Sequence, residues 1–362
     1  MGKLRLGVIG AGSWAVASHL PNFAKRADDV EFVGVSRKNV QLLDRVRDDY
    51  GFQVASEDYR DVIDAGIDIA LVASPSGLHH EHARAALEAG AHVLVEKPVT
   101  IDPGDAWDLV DVAAGGDRHL VVAFGWNYRP MVVEAKRLME RNGIGEVEQI
   151  TVHMASATRE LLSNSGDYPG ADPVAVPEQA TWTDPSLSGG GYGQAQLSHA
   201  LGLGLWLTGL RAEEVFAFMS APLDAPVELH DAISIRFRNG AIGTVAGGSC
   251  FTGAGDNKHQ LEVRAIGSEG QLLVDVEREA VWLWRNDGTE VRLDLADGAG
   301  LYNCEGPVDT LVDLALGRDV VNSSPGELGA RTVELLAAAY RSARGGTIAR
   351  VAPSDGDRRV PA

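Results

Sequence analysis

Short apolar runs separated by helical patterns fill the first third of the chain. Leu4–Ile9, Val30–Val35, Ile67–Ala73, His92–Glu96 and Leu120–Phe124 are β-branched or aliphatic runs of strand length. Between them, Val40–Tyr50 and His80–Ala89 carry apolar residues at helical spacing. Strands alternating with helices predict βαβ units, and therefore a parallel sheet with helices on both faces.

Beyond about residue 125 the pattern changes. A helix is predicted over Met131–Asn142, followed by polar, loop-rich stretches broken by strands with period-two alternation. Ala232–Arg238 and Gly243–Gly247 flank Asn239-Gly240, the pair most favoured in a tight hairpin. Leu261–Ala265, Gln271–Val274 and Val281–Trp284 continue the run, and a long amphipathic helix over Leu328–Arg344 closes it. Strands that follow one another without helices predict an α+β unit with a large, mostly antiparallel open sheet. The polar stretch Ser354–Ala362 is expected to fray.

Composition supports two units. The chain has 362 residues, 45% hydrophobic and 23% charged, which is globular usage and more than one core normally holds. We divide it at residues 1–124 and 125–362. No apolar run reaches the ~18 residues of a membrane span, and Leu4–Ile9 leads straight into glycines, as a first strand does rather than a signal peptide. The two cysteines, Cys250 and Cys304, have no metal-like spacing, so a reducing cytoplasm is expected and no metal is assigned. A net charge of −19 argues against nucleic acid and anionic membranes as partners.

The chemistry begins directly after the first strand. Gly10-Ala11-Gly12-Ser13-Trp14-Ala15 has the G-x-G-x-x-G/A form. The first glycine allows a tight turn, the second lets backbone approach a pyrophosphate, and the third small residue lets helix and strand pack closely. The helix that follows offers its amides and positive dipole end to phosphate. The second strand runs into Ser36, Arg37 and Lys38, where an NAD site would place a carboxylate for the ribose 2′-hydroxyl. A hydroxyl and two cations suit a 2′-phosphate instead. NADP(H) is therefore the expected cofactor, with NAD(H) as the alternative.

Further strings arrive in order. Ser74-Pro75-Ser76-Gly77-Leu78-His79 follows the strand Ile67–Ala73, and Ala89-Gly90-Ala91-His92-Val93-Leu94-Val95-Glu96-Lys97-Pro98 comes next. Gly189-Gly190-Gly191 and His199 lie in the second half, and Gly143-Ile144-Gly145-Glu146-Val147 and Ala339-Tyr340-Arg341-Ser342 complete the set. Over essentially its whole length the chain resembles the glucose–fructose oxidoreductase / inositol dehydrogenase / MocA family, most specifically in the Glu96-Lys97-Pro98 segment. The resemblance implies an NAD(P)-dependent enzyme of sugars, polyols or related cyclic alcohols. It also implies homodimers or homotetramers formed through the open sheet. Lys97 would bond the reacting oxygen, His79, Ser74, Pro75 and Glu96 would lie at the cofactor site, and Tyr128, Trp182, Tyr192 and His199 would line the substrate pocket. Bottom-up chemistry agrees for Lys97, which ends a parallel strand where ligands of such sheets bind. A lysine donor there stabilises developing alkoxide charge. His80 and His82 are expected on a helix surface, and Trp182 and Asp184 in a pocket wall.

One departure stands out. The family pairs its histidine with an aspartate four residues earlier, and here that position is Ala195. His199, with a pKa near its ordinary value, is expected to exchange the proton alone. Two other readings remain open at this point. One is glycoside cleavage through transient oxidation; the other is a weakly catalytic dinucleotide sensor, for which Ala195 speaks and the intact Glu96-Lys97-Pro98 segment does not. Substrate choice is expected to lie in the loops between Ser156 and Ser188.

Overall fold

Two sheets carry the architecture of the computed structural model, which describes residues 2–141, 143–168, 178–251 and 259–351. The predicted fraying tail Ser354–Ala362 and part of the expected specificity loops lie outside the described residues.

The first sheet contains β1 (Leu4–Ile9), β2 (Val30–Ser36), β3 (Val54–Ser56), β4 (Ile69–Val72), β5 (His92–Val95) and β6 (Leu120–Val122). All pairs are parallel, in the order β3-β2-β1-β4-β5-β6. Strands β4 and β6 are buried throughout, which is why they read as unbroken apolar runs. The chain order reverses between β1 and β4, and ligands of such sheets bind in the crevice outside the carboxyl ends of strands at that switch point.

The second sheet has nine strands: β7 (Val147–Ser156), β8 (Ala212–Ser220), β9 (His230–Phe237), β10 (Ile242–Ser249), β11 (His259–Gly267), β12 (Gly270–Asp275), β13 (Ala280–Arg285), β14 (Glu290–Arg292) and β15 (Ala349–Arg350). Only β7 and β10 pair in parallel; the other neighbours are antiparallel. Gly240 takes φ +89° in the turn of the predicted hairpin, and β9 and β10 pair with Ile242 opposite Arg236. On β9, Asp231, Ile233, Ile235 and Phe237 are buried while Ala232, Ser234 and Arg236 are exposed. One face of this sheet is therefore covered and the other open. The helix Ser198–Thr208 packs on the covered face, and its nearly complete burial explains a sequence that is apolar all round.

Packing crosses the boundary drawn at residue 124. Val308, Leu311 and Val312, from the helix Glu305–Ala315, share a core with Leu6 and Val8 of β1. The helix Gly326–Gly345 packs against both β8 and the helix Pro103–Gly115. The C-terminal helices thus close the first sheet as well as the second.

Asp231 is the anomaly of the covered face. It is 4% exposed, and neither carboxylate oxygen has a hydrogen-bond partner among the described residues. Burial, with the Glu228 carboxylate nearby, pushes its pKa well above the ordinary value. A raised carboxyl pKa costs nothing below the unfolded value and costs more as pH rises toward the folded one. Asp231→Asn is therefore expected to stabilise the protein by about 1–3 kcal/mol at pH 7, with the gain shrinking toward pH 4. Urea midpoints at the two pH values check this, and an unchanged midpoint at pH 7 counts against it.

Candidate active site

The glycine loop is built by close backbone approach. Gly10 holds φ +84°, and the amides of Gly10 and Ala11 both donate to the Ser36 carbonyl, at 2.9 and 3.0 Å. A Cβ on Gly10 would sit 2.3 Å from the Ser74 nitrogen, so β1 and β4 can meet only through a glycine. At Gly12 a Cβ would meet nothing nearer than the Gly10 carbonyl oxygen at 3.9 Å. That side of the loop is open to a phosphate, and the residues fit a dinucleotide. Ser13 begins a helix that runs to Lys25 with a π turn over Ala15–His19, and Trp14 on its first turn is 37% exposed.

At the end of β2, Ser36 is buried. Arg37 turns its guanidinium inward, donating from Nη1 to the Ala11 carbonyl at 2.9 Å. Burial lowers its pKa against the pull of Glu178. Lys38 instead reaches away, donating from Nζ to the Glu57 carbonyl at 3.0 Å.

His79 is not a free edge group. It is fully buried, with Nδ1 2.9 Å from the Pro98 oxygen and Nε2 2.7 Å from the Ser74 oxygen, so it clamps two loops together. His82 is not a plain surface residue either. Its Nδ1 lies 2.8 Å from Ser74 Oγ, its ring packs against Tyr59 at a tilt of 52°, and burial pulls its pKa down to about 4. His80 faces Asp108 at 2.7 Å. Pro75 leads into the short 3₁₀ turn Ser76–Leu78.

Lys97 follows β5 and its peptide to Pro98 is cis. Glu96 points back into the protein. Its Oε1 is 2.6 Å from His19 Nε2, and its Oε2 accepts the Lys97 amide at 3.1 Å. Burial would lower the His19 pKa, but Cys304 and Glu96 outweigh it and push it up to about 10. Burial would raise Glu96, but His19 and Lys97 hold its carboxyl below the usual range. The Lys97 side chain donates from Nζ to the Ala195 carbonyl at 2.7 Å. Burial lowers the pKa of its ammonium, opposed by Glu96 and Cys304. Ala195 lies in a second π turn, Gly193–Leu197. The position where the family has an acid thus faces the lysine with a backbone oxygen.

His199 is 6% exposed and ringed by Trp126 at 5.1 Å, Tyr302 at 5.2 Å and Phe124 at 6.2 Å between centroids. Its Nδ1 has no hydrogen-bond partner among the described residues. Burial, then Lys97 and His259, depress its pKa well below 6.5. An imidazole near its ordinary pKa is the expectation; burial among apolar rings, with Lys97 and His259 nearby, lowers it instead.

The other residues expected at the pocket are held by contacts within the protein. Tyr192 is wholly buried, with its hydroxyl on Ser156 Oγ and the Met154 carbonyl, both at 3.1 Å, so it belongs to the core. Tyr128 turns toward the C-terminal segment, its hydroxyl 2.8 Å from Ser324 Oγ and 3.1 Å from Asn322 Oδ1. Trp182 is half-buried against the core, and Asp184 caps the helix Pro185–Ser188.

Residues that the sequence did not single out complete the site. Tyr302 donates to the Ala123 carbonyl at 3.2 Å and packs on Trp126 at 4.5 Å and Trp14 at 6.0 Å. It comes from an irregular segment with no periodicity to reveal it. His19 lies one helical stretch past the glycine loop, a position that helix packing alone would also explain.

The profile described as "Oxidoreductase family, NAD-binding Rossmann fold" matches residues 4–124. The GFO/IDH/MocA C-terminal domain matches residues 132–273. The chain belongs to the GFO/IDH/MocA oxidoreductase family. Among its relatives, levoglucosan dehydrogenase of Pseudarthrobacter phenanthrenivorans is 27% identical over 77% of this chain and 75% of its own. D-glucoside 3-dehydrogenase of Escherichia coli is 30% identical over 52% of this chain, and the match spans only about half, 49%, of that relative's length. A solved levoglucosan dehydrogenase in complex with NADH and levoglucosan superposes with a TM-score of 0.78 at 22% identity, covering 97% of this chain and 100% of the other. An oxidoreductase domain protein from Kribbella flavida gives 0.81 at 21% identity, covering 98% and 100%. These structural likenesses establish the fold. Among the described residues of this GFO/IDH/MocA chain, no helix is long and apolar enough to cross a membrane.

Proposed function

We propose that this GFO/IDH/MocA protein transfers hydride between NADP(H) and a carbon bearing a hydroxyl or keto group on a sugar, polyol or related cyclic substrate. The observation that carries the reading is Lys97 Nζ, delivered by the end of β5 and held on the Ala195 carbonyl of the second half of the chain. A substrate oxygen that replaces this carbonyl receives the same donor. The names of the relatives, dehydrogenases of glucosides and of levoglucosan, support the substrate class.

A bound nicotinamide supplies the hydride donor or acceptor. The protein's part is to hold the reacting oxygen on Lys97, which stabilises alkoxide character as charge develops. His199 is the group placed to accept a proton from an alcohol, and the burial that lowers its pKa limits how much that step contributes. Trp126 and Tyr302 wall the site with apolar surface and exclude water around it. Phe218 and Ile242, 69% and 56% exposed on the open sheet face, support assembly of copies through that face.

NADP(H) preference rests on the end of β2, where Ser36 and Arg37 stand at the place an NAD site gives to a carboxylate for the ribose 2′-hydroxyl. Each charged hydrogen bond contributes about 1.5–3 kcal/mol, so a tenfold to hundredfold preference for NADPH over NADH is expected, roughly. Fluorescence titration with both dinucleotides at fixed salt measures it. Arg37→Asp is expected to abolish the preference; equal binding in the native protein would sink the assignment and redirect substrate screens to NADH.

A further inference from the structure

Three side chains remote in sequence meet beside Lys97. His19, Glu96 and Cys304 are all buried, and one donor atom from each lies within 4.8 Å of the others. They arrive from separate elements: the π turn of the glycine-loop helix, the end of β5, and the residue preceding the helix Glu305–Ala315. Both cysteines are free, and His19 Nδ1 is buried with no hydrogen-bond partner among the described residues.

The donor set is an imidazole nitrogen, a carboxylate oxygen and a sulfur. Magnesium and calcium take oxygen ligands, whereas zinc-class ions take this mixture, commonly three protein ligands with a fourth position open. Zinc bonds of about 2.0–2.3 Å place neighbouring donors in a tetrahedron about 3.3–3.8 Å apart. The His19–Glu96 contact at 2.6 Å must therefore widen by roughly an ångström, and Cys304 must close in from no more than 4.8 Å. Side-chain rotation covers both. The nearby Lys97 ammonium does not forbid the ion, because ligation expels protons from thiol and imidazolium as the metal enters.

We propose that His19, Glu96 and Cys304 bind one zinc-class divalent cation, and that its binding stops turnover by drawing Glu96 away from the Lys97 amide. The inhibition rests on the role proposed for Lys97; the binding does not. The spacing of the cysteines hides such a site, since the ligands are brought together only by the fold.

Cobalt(II) tests the binding without any substrate. The full-length, metal-free protein titrated with Co²⁺ should develop tetrahedral d–d absorption and a thiolate charge-transfer band that saturate at one equivalent. Both should survive in Cys250→Ser and vanish in Cys304→Ser. No bands in the native protein, or bands unchanged in Cys304→Ser, would overturn the site. Should Cys304→Ser fail to fold, zinc-edge X-ray absorption of Cys250→Ser loaded with one equivalent of Zn²⁺ decides instead. One sulfur at about 2.3 Å is expected, and a shell of nitrogen and oxygen alone overturns the site. Stoichiometric Zn²⁺ should also lower turnover at least tenfold, reversibly by chelator. Binding with undiminished turnover would overturn the inhibition and leave the site standing.

Discussion

Lys97→Ala is expected to lower kcat by about 10²–10³-fold, the usual effect of removing one donor aimed at developing oxygen charge, while dinucleotide affinity stays unchanged. The separation follows from geometry. The proposed dinucleotide contacts gather at Gly10–Trp14 and at the ends of β2 and β4, whereas Lys97 Nζ extends to the Ala195 carbonyl. Lys97→Arg should not restore the rate, because a planar fork does not reproduce a compact ammonium on a flexible stem. Glu96 and His19 fix the Lys97 backbone but not its Nζ, so they cannot replace it. Steady-state kinetics beside NADPH titration check this. A variant within tenfold of the native kcat would mean that Lys97 only bridges the two halves of the protein, and the dinucleotide-sensor reading would gain ground.

The sequence showed the scaffold of this site better than its interior. β1 and the helix Val40–Tyr50 fall where apolar periodicity puts them, and the Asn239-Gly240 hairpin forms as its turn chemistry requires. Those features are local, decided within a few residues. The first domain's closure by the helix Glu305–Ala315 is not local, and no periodicity announces which sheet such a helix will cover. Tyr192 and His199 show the same limit in the site. Both stand beside or within the glycine-flanked motif, yet Tyr192 rotates into the core, while burial against Trp126 and Tyr302, with Lys97 and His259 nearby, lowers the His199 pKa through residues from other parts of the chain. Motif spacing fixes where a backbone passes. Electrostatic environment is settled by whatever the fold packs against it.

Gly10→Ala and Gly12→Ala should separate folding from binding at the glycine loop. At Gly10 the backbone is left-handed, φ +84°, and an added Cβ would stand 2.3 Å from the Ser74 nitrogen and 2.5 Å from its Cα. Those are backbone atoms between adjacent strands and cannot rotate aside. Left-handed strain costs about 1–3 kcal/mol and overpacking about 1–3 more, so a loss of about 4 kcal/mol is expected. That is a large share of a typical total stability of about 5–15 kcal/mol. Opening β1 from β4 also spreads the crevice at the switch point, so dinucleotide affinity should fall with stability. Gly12 differs. Its added Cβ would meet nothing within 3.9 Å, and its φ is not positive. Gly12→Ala should therefore fold with native stability and still lose NADPH binding, because the methyl fills the approach that a pyrophosphate needs. Thermal melts without ligand and fluorescence titrations with NADPH measure the two effects independently. If Gly12→Ala binds NADPH as the native protein does, the pyrophosphate does not pass over this loop, and the cofactor site must lie elsewhere along the strand ends.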